Sequence, residues 1–315
     1  MKAFVTGGAG FIGSHLAEAL CRRGAQVVVL DDLSLGNLSN LDWKRNGDAL
    51  EFVRGDVTNE KLARQLMAGC EWVFHEAALP SVPFSVAQPV QSNAHNLDAA
   101  LQLLVLAKDA GVKRFVFASS SAIYGDTDVA TKHEQLPPDP LSPYALQKYA
   151  AEKYGQLFYK LHGLTTVSLR YFNVFGPRQA FDSPYSGVIA KFCTNSLQGK
   201  APTIYGDGKQ TRDFTYIENV VQANLLAVKA PARKVAGKVF NIATGRSVSL
   251  LDLVAELNYL TGQSLTPQFK PARAGDVRFS TADITAARKN LGYRQKITLR
   301  EGLKKTLDFY RSSDV

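Results

Sequence analysis

The sequence has few cysteines, few histidines and no long apolar run, and each shortage narrows its class. Its three cysteines, at positions 21, 70 and 193, form no CxxC pair and no even-numbered framework, which predicts a reducing compartment without structural disulfides. No apolar stretch approaches the ~20 residues that span a bilayer. The strand-like run near the first residue leaves no room for a signal peptide. We therefore expect a cytoplasmic protein that does not bind a membrane.

Metal ions and nucleic acids are also disfavoured as ligands. The five histidines never fall at metal-ligand spacing, so no metal is expected. Residues 1–185 hold 17 basic and 18 acidic side chains, whereas residues 186–315 hold 20 and 10. This uneven excess predicts an anionic ligand on the second part of the chain. The absence of a Lys/Arg run with interleaved aromatic residues argues against nucleic acid.

What the sequence does contain is an alternation of Val-rich apolar runs with periodic segments of helical length. This alternation predicts an α/β fold, with a doubly wound parallel (Rossmann-type) sheet covered on both faces. We expect a Rossmann domain over 1–172, rejoined by parts of 212–243, and a smaller mixed α/β substrate-binding lobe from 173–211 and 244–315. The predicted strands are 2–6, 26–31, 51–54, 72–75, 114–119, 165–170, 201–205 and 239–242. The predicted helices are 12–23, 59–68, 93–110, 144–162, 186–198, 217–229, 249–261 and 299–311.

A glycine motif follows the first predicted strand. Gly7, Gly10 and Gly13 form G-x-x-G-x-x-G where a helix begins, a pattern that lets the backbone approach a pyrophosphate at the helix N-terminus. Asp31 ends the second strand, where a carboxylate binds the ribose hydroxyls of NAD and repels the 2′-phosphate of NADP. The motif predicts NAD; a simple glycine turn beside a strand-end carboxylate is the alternative. Asp56, after the third strand, stands where an adenine contact falls, although a turn-forming aspartate fits equally.

Tyr144 and Lys148 form Y-x-x-x-K at the start of a predicted helix. The four-residue spacing places both side chains on one helical face. A tyrosine with a pKa near 10 is a weak base at neutral pH, so we expect a neighbouring ammonium and a positive nicotinamide ring to lower the pKa of Tyr144. The strand-end serines at 119–121 offer a hydroxyl to the substrate oxygen. Together these groups predict proton abstraction from an alcohol as hydride leaves to NAD.

These motifs resemble the extended short-chain dehydrogenase/reductase superfamily and, within it, the nucleotide-sugar 4-epimerases. The resemblance covers essentially the whole chain. Its segments are TGGAGFIGSHL (6–16), the strand-end DD with SLGN (34–37), HEAAL (75–79), SSSAIYGD (119–126), SPYALQK (142–148), RYFNVFGPRQ (170–179), GDGKQTRDFTYIENV (206–220) and RAGDVRFSTAD (273–283). One position departs from the pattern. Many galactose-type members have a lysine where this chain has Pro80, so their lysine–nicotinamide contact is not carried over.

The resemblance implies a role for each matching residue. The implied catalytic residues are Ser120, Tyr144 and Lys148. The implied cofactor-binding residues are Gly7, Gly10, Phe11, Ile12, Gly13, Asp31, Asp32, Ser34, Gly36, Asn37, Asp56, Val57, Ala77, Ala78, Asn96, Tyr144, Lys148 and Phe172. The implied substrate-binding residues are Ser81, Ser121, Asn173, Val188, Thr203, Tyr205, Arg212, Arg273, Asp276 and Ser280. By the same resemblance, the UDP diphosphate is bound by Asn173, Arg212 and Arg273, the uridine is lined by Val188, Thr203 and Tyr205, and the hexose faces Ser280.

Simpler explanations exist for some of these positions. Arg212 has an ion-pair partner available in Asp213, and Arg273 has one in Asp276. Tyr205 also fits ordinary core packing. The phosphate role of the arginines is favoured because it explains where positive charge accumulates, and because the arginine fork suits phosphate oxygens.

The quaternary state is a further implication of the resemblance. In that family the helices at 93–110 and 144–162 form a four-helix interface between two subunits. This implies a homodimer. Ordinary burial of both helices in the core of one subunit is the alternative.

The residues that follow Ser120 narrow the reaction. In the resembling 4,6-dehydratases an Asp-Glu pair follows the catalytic hydroxyl, and UDP-glucuronate decarboxylases carry a glutamate where Ala122 stands. This chain has Ser121 and Ala122, which favours reversible oxidation at C4 of a UDP-sugar through a 4-keto intermediate, with NAD regenerated. Because Ser280 is small, we expect UDP-GlcNAc/UDP-GalNAc as substrates, with UDP-Glc/UDP-Gal as a secondary pair. UDP-glucuronate 4-epimerisation is the main alternative; a dehydratase or reductase of the superfamily and a non-enzymatic NAD-binding scaffold are the others.

Overall fold

The computed structural model describes residues 1–181, 187–272 and 277–312. Its main sheet has seven parallel strands, which in spatial order are β12 (Lys238–Ile242), β7 (Thr166–Tyr171), β5 (Arg114–Ser120), β4 (Trp72–His75), β1 (Lys2–Thr6), β2 (Gln26–Asp31) and β3 (Leu50–Arg54). The strand order reverses between β1 and β4. At such a reversal the carboxyl ends of the strands form a crevice, which is where doubly wound sheets bind ligands.

Helices cover both faces of this sheet, as the sequence predicted. One face carries α1 (Phe11–Cys21) and α8 (Ile217–Lys229). The other carries α2 (Glu60–Met67), α5 (Ala99–Asp109) and α6 (Pro143–His162). Alternate residues of β1 enter different cores, because Ala3 and Val5 pack beneath α1 whereas Phe4 packs beneath α5. Burial on both faces is the reason why these strands are continuous apolar runs.

The helix predicted over 93–110 is helical as far as Asp109, but the helical region begins earlier and contains a π-helical turn. The structure has α3 (Val82–Ala87), α4 (Pro89–Asn93), a π-helical turn over Ala94–Asp98 and only then α5. Proline in the first turn of each short helix sets these early starts, since proline is favoured there. By contrast, β2 and β4 have the predicted bounds.

A second, mixed sheet lies beyond the main one. It contains four strands, β13 (Val248–Ser249), β10 (Thr211–Arg212), β15 (Phe279–Ala282) and β6 (Thr131–Lys132). Two further pairs are β11 (Thr215–Tyr216) with β8 (Val174–Phe175), and β14 (Gln268–Lys270) with β9 (Thr203–Tyr205). The remaining helices in the described ranges are α7 (Val188–Leu197), α9 (Ala232–Val235), α10 (Leu250–Thr261), α11 (Thr285–Leu291) and α12 (Leu299–Ser312).

The two sheets exchange chain segments. β12 comes late in the sequence yet pairs with β7 in the main sheet, and β6 comes early yet pairs with β15 in the smaller one. The strand predicted at 201–205 is shorter, because β9 begins only at Thr203. Among the described residues, no helix has the length and apolar character needed to cross a bilayer.

Candidate active site

The turn between β1 and α1 requires glycine. Gly7 has φ +68°, a conformation that side chains disfavour, and a Cβ there would lie 2.7 Å from the backbone nitrogen of Ala77. A Cβ on Gly13 would lie 2.2 Å from the carbonyl oxygen of Gly7, so the helix packs directly on the turn. Gly10 is the N-cap of α1, and as a glycine it has no side chain that could cap the helix. The backbone N–H groups of this helix end therefore suit a phosphate group.

Asp31 lies beside the glycine turn at the end of β2. Its carboxylate accepts hydrogen bonds from the backbone N–H groups of Ala9 and Leu33, both at 2.9 Å. Burial raises the pKa of Asp31, and these backbone hydrogen bonds oppose the rise. Gly36 comes so close that a Cβ on it would lie 2.7 Å from Asp31 Oδ1. The carboxylate is thus fixed at the crevice, in a place compatible with the predicted ribose contact.

Asp32, Asp56 and His95 meet on the β2–β3 side of the crevice. One side-chain atom of each lies within 4.8 Å of the others, and His95 Nε2 lies 3.4 Å from Asp56 Oδ2. Asp56 Oδ1 accepts hydrogen bonds from the N–H and hydroxyl groups of Thr58, both at 2.8 Å. Asp56 therefore does form the turn that the sequence offered as an alternative. Nothing in the histidine spacing indicated this cluster, because its members follow different strands.

Ser120, Tyr144 and Lys148 come together where β5 ends against the start of α6. The Ser120 hydroxyl lies close enough to the Tyr144 phenol to lower its pKa. Lys148 Nζ donates a hydrogen bond to the carbonyl of Ala118 at 2.8 Å and lies 6.0 Å from the centre of the Tyr144 ring. The structure thus unites the three residues that the sequence analysis named as catalytic.

Burial dominates the ionisation of this cluster. It raises the pKa of Tyr144, and the Ser120 hydroxyl opposes the rise. It lowers the pKa of Lys148 to about 8, against the influence of the carboxylates of Glu76 and Glu152. The lowered tyrosine pKa that the sequence predicted is therefore not a property of the protein chain alone. A positive charge bound beside Tyr144 would act against the rise.

Local signals fix the start of α6 and so the position of Tyr144. The hydroxyl of Ser142 accepts a hydrogen bond from the N–H of Ala145 at 3.2 Å, which is the usual role of a serine N-cap. The Tyr144 N–H donates to Ser85 Oγ at 3.1 Å. Because Ser85 lies in α3, α6 is also anchored to the segment after β4.

A buried ion pair joins this helix to β7, and the sequence analysis missed it. Arg170 on β7 forms two hydrogen bonds to Glu152 on α6, at 2.8 and 2.7 Å, and both side chains are almost wholly buried. The hydroxyl of Ser119 donates to Glu152 at 2.5 Å. Ser119 is thus committed to the helix, whereas the next residue, Ser120, contacts Tyr144. Glu152 follows Lys148 by one helical turn, and this spacing was the available signal.

A second missed group contains Glu76, whose carboxylate also acts on Lys148. The hydroxyl of Tyr171 donates a hydrogen bond to Glu76 Oε1 at 2.9 Å, and Asn224 donates to the same hydroxyl at 2.8 Å. Burial raises the pKa of Glu76 to about 7, while Tyr171 and the Lys148 ammonium lower it. Three elements contribute, so no sequence spacing could indicate the group.

Asn96, an implied cofactor residue, is occupied by protein contacts. Its amide accepts a hydrogen bond from the N–H of Leu79 at 2.8 Å and donates to the carbonyl of Leu79 at 3.2 Å. It also donates to Ser92 and Gln147, at 3.2 and 3.0 Å. In the structure Asn96 positions the segment after β4, and its predicted cofactor contact stays a prediction.

The remaining implied cofactor residues fall into three groups. Val57 and Phe172 are buried in the two cores. Asn37 Oδ1 accepts the N–H of Ser39 at 3.0 Å, and Ser34 Oγ donates to Asp32 at 2.7 Å, so both order the loop after β2. The half-buried residues at the crevice are Phe11, Ile12, Ala77 and Ala78.

The implied substrate residues Ser81 and Asn173 both form hydrogen bonds with backbone groups of the protein. Ser81 caps α3 by accepting the N–H of Phe84 at 3.1 Å. Asn173 has φ +33° and donates to the carbonyl of Asp213 at 3.2 Å, which ties the end of β7 to the segment that carries Arg212. Ser121 follows Ser120 and starts a 3₁₀ turn.

The implied uridine wall is formed by α7 and β9. Thr203 and Tyr205 are half-buried, whereas Ile204 between them is fully buried. This alternation places Thr203 and Tyr205 on the face of β9 away from the core, which weakens the core-packing explanation of Tyr205. Val188 begins α7 and packs against the core.

Arg212 and Ser280 are neighbours on adjacent strands. They are paired in register between β10 and β15. Asp213 is fully buried, and its carboxylate accepts hydrogen bonds from Thr244 and Gly245. The surface ion pair of Arg212 with Asp213 is therefore wrong, because Asp213 is not at the surface. Arg273 and Asp276 lie outside the described residues.

Known proteins share this architecture over the full chain. UDP-glucose 4-epimerase of Mycolicibacterium smegmatis is 38% identical, covering 99% of each chain. The crystal structure of UDP-glucose 4-epimerase from Thermotoga maritima with UDP-glucose is 40% identical, with a TM-score of 0.93 and complete coverage of both chains. UDP-N-acetylglucosamine 4-epimerase from Methanobrevibacter ruminantium, solved with UDP-N-acetylmuramic acid, is 37% identical, with a TM-score of 0.94 over 99% of this chain and 98% of its own.

The family match covers the part of the chain that builds the crevice. The NAD dependent epimerase/dehydratase family covers residues 3–243, which include the glycine turn, Asp31 and the cluster of Ser120, Tyr144 and Lys148. The match also agrees with the sequence prediction of NAD as cofactor. This chain belongs to the NAD-dependent epimerase/dehydratase family of extended short-chain dehydrogenases/reductases.

Proposed function

We propose that this protein inverts C4 of a UDP-sugar, with UDP-GlcNAc and UDP-GalNAc as its main substrate pair. The observation that carries the proposal is the meeting of Tyr144, Ser120 and Lys148 at the crevice that also holds the glycine turn. A retained cofactor and one acid/base are sufficient for a reaction that returns the hydride it removes.

The cofactor fits the residues present. The proposed contacts are the pyrophosphate on the N-terminus of α1, the adenosine ribose on Asp31 and the nicotinamide ribose on Lys148. Close backbone approach at Gly7 and Gly13 supports the first contact, and the fixed carboxylate of Asp31 supports the second. NAD supplies the hydride acceptor when it is bound.

The chain's own residues move the proton. Tyr144 takes the proton of the sugar O4 hydroxyl and later returns it to O4, once the 4-keto sugar has turned its other face toward the returning hydride. Ser120 shares that oxygen through its hydroxyl, which already contacts Tyr144. The Lys148 ammonium favours the ionised phenol of Tyr144. Because the site is buried, these charges act on one another with little screening by water.

Substrate selection is proposed to lie in the smaller lobe. Arg212 and Asn173 bind the diphosphate, Tyr205 lines the uridine and Ser280 lines the hexose. The in-register pairing of Arg212 with Ser280 supports this division, because it sets a diphosphate group and a sugar side by side. Serine leaves room for an N-acetyl group that a larger residue would exclude. UDP-Glc/UDP-Gal is the proposed secondary pair, and UDP-glucuronate is the main rival substrate.

A homodimer through α5 and α6 is part of the proposal. On α6, Leu157 and Leu161 are 46% and 70% exposed, and on the neighbouring α5 Val105 is 37% exposed. Leucines four residues apart share a helical face, and a row of exposed apolar side chains favours contact with a second subunit. We also propose a cytoplasmic location, which the three buried free cysteines support.

A substrate panel tests the proposal. Purified protein is incubated without added NAD with UDP-GlcNAc, UDP-Glc and UDP-glucuronate, and the products are identified by NMR. We expect UDP-GalNAc as the main product, and Tyr144→Phe should lower turnover by about 10²–10⁴-fold. Tyr154→Phe, on the same helix, is the matched control and should retain activity. If only UDP-glucuronate is turned over, UDP-glucuronate is the substrate instead of UDP-GlcNAc. Stoichiometric release of NADH would contradict the proposed epimerase activity.

A further inference from the structure

Glu76 is a carboxylate that the proposed chemistry does not use. It directly follows β4, and its N–H donates a hydrogen bond to the carbonyl of Thr6 at the end of β1, at 3.2 Å. A Cβ on Gly7 would lie 3.0 Å from the carbonyl carbon of Glu76. Glu76 therefore lies where the strand order reverses, beside the turn that suits the cofactor pyrophosphate.

Two side chains orient this carboxylate. Tyr171 Oη lies 2.9 Å from Glu76 Oε1, and Asn224 Nδ2 lies 2.8 Å from Tyr171 Oη. Asn224 Nδ2 also donates to the carbonyl of Val220 at 3.0 Å, so it acts as a donor toward both partners. The tyrosine hydroxyl must then accept from Asn224 and give its one proton to Glu76. Residues of β7 and α8 thus hold the carboxylate as an acceptor.

The second oxygen of Glu76 is available to a ligand. Within the described ranges, Oε2 has no hydrogen-bond or ion-pair partner, and Glu76 is only half-buried. The charged group that acts on the carboxylate is Lys148. Burial holds the pKa of Glu76 near 7, so a positive group bound beside it would favour the ionised form.

The crevice determines which end of the cofactor faces Glu76. Asp31 lies on the β2 side of the glycine turn, and the adenosine half belongs there. The nicotinamide half must then extend across the ends of β4 and β5, because hydride exchange with the sugar takes place at Tyr144. Glu76 is on this side of the crevice. It therefore faces the half of the cofactor whose charge changes in the reaction.

We propose that Glu76 supplies the negative charge that stabilises the oxidised nicotinamide ring, with Tyr171 and Asn224 as positioning residues. The inference rests on the proposed function only in taking NAD as the resident cofactor. The oxidised ring carries a positive charge that the reduced ring lacks, so a nearby carboxylate favours the oxidised form. An opposite charge within ~4–6 Å shifts an ionisation equilibrium by about 1–3 pKa units, and a comparable effect on the redox equilibrium is tenfold or more.

The test is the midpoint potential of the bound cofactor in the NAD-loaded protein. It is measured from the ultraviolet absorbance of reduced nicotinamide against a reference couple. Glu76→Gln keeps an acceptor for Tyr171 but removes the charge. We expect its ratio of reduced to oxidised cofactor to rise about tenfold at a fixed potential, which is about 30 mV for a two-electron couple. Glu51 is an exposed residue of β3. Glu51→Gln therefore removes the same charge far from the crevice and should leave the midpoint unchanged.

Tyr171→Phe is the second variant, because it keeps the charge and removes only its anchor. It should raise the midpoint above that of the wild-type protein, though by less than Glu76→Gln does, and this rise over wild type decides the matter if Glu76→Gln does not fold. Lowered stability of both variants with unmoved midpoints would mean that Glu76 only braces β4, and would overturn the inference. These outcomes are separate from a failure of the proposed function, in which the wild-type protein would bind no NAD or would not epimerise.

Discussion

The hydroxyl of Ser119 donates a hydrogen bond to Glu152 at 2.5 Å, and this contact joins the two elements that carry the proposed catalytic residues. Ser119 immediately precedes Ser120 on β5, and Glu152 lies one turn after Lys148 on α6. The paired guanidinium of Arg170 completes the junction from β7. The distance between Ser120 and Tyr144 is therefore set by a buried ionic group rather than by apolar packing alone.

Loss of this junction should cost stability. Glu152→Gln leaves Arg170 buried without its counter-ion, and breaking a buried pair in this way costs about 3–5 kcal/mol. Denaturant unfolding measures the loss. Glu71→Gln breaks the exposed pair with Lys113 and is the matched control, since exposed pairs contribute little. Equal effects of the two substitutions would show that the buried pair is not a structural support.

The buried ammonium of Lys148 should make stability depend on alkaline pH. Its pKa in the folded protein, about 8, is below the ordinary value of 10.5, so the unfolded chain binds more protons between these values. Stability of the wild-type protein should then rise with pH through this window. Lys148→Met lacks this dependence. Its free energy of unfolding relative to that of the wild-type protein should therefore fall by about 3 kcal/mol between pH 8 and 10.5, at about 1.4 kcal/mol per pKa unit. Parallel pH profiles of the two proteins would contradict the assigned burial.

Ser280 should control the size of the sugar. Ser280→Tyr places a ring where the N-acetyl group is proposed to lie, so it should abolish activity on UDP-GlcNAc and UDP-GalNAc while sparing UDP-Glc and UDP-Gal. Shape exclusion of this kind is strong, whereas an enlarged pocket rejects a smaller sugar by only about 1–3 kcal/mol. The measurement is kcat/KM for both pairs. If both fall equally, or if UDP-GlcNAc is unaffected, Ser280 does not select the substrate.

The outer face of α6 should hold the proposed dimer together. Leu157→Glu introduces a charge into an apolar contact, and we expect monomers in sedimentation analysis where the wild-type protein is dimeric. Tyr259→Glu changes another exposed residue, on α10, and should leave the dimer intact. A wild-type monomer, or an unchanged Leu157→Glu dimer, would place the interface elsewhere.

Residues close in sequence or repeated along one strand were the predictable part of this protein. The glycine turn, Asp31 and the Tyr144–Lys148 pair each depend on local spacing, and the bounds of β2 and β4 follow from unbroken apolar runs. The π-helical turn around Asn96 could not be predicted, because it depends on contacts with Leu79 across a loop.

Groups assembled from several elements were the unpredictable part. Glu76, Tyr171 and Asn224 come from two strand ends and a helix, and Asp32 meets His95 only through the fold. The burial of Asp213 could not be predicted for the same reason. Its acidic side chain beside Arg212 suggested a surface ion pair, whereas the backbone and hydroxyl donors that satisfy it in the interior lie in the segment around Thr244.

The fate of the hydrogen on C4 shows whether the hydride that leaves the sugar returns to it within one active site. Purified protein with only its resident NAD is incubated with UDP-GlcNAc that carries deuterium at C4, in ordinary water, and the UDP-GalNAc formed is analysed by NMR and mass spectrometry. We expect the product to keep its deuterium at C4, because the same hydride leaves and returns within one active site. Replacement of that deuterium by solvent hydrogen would contradict it.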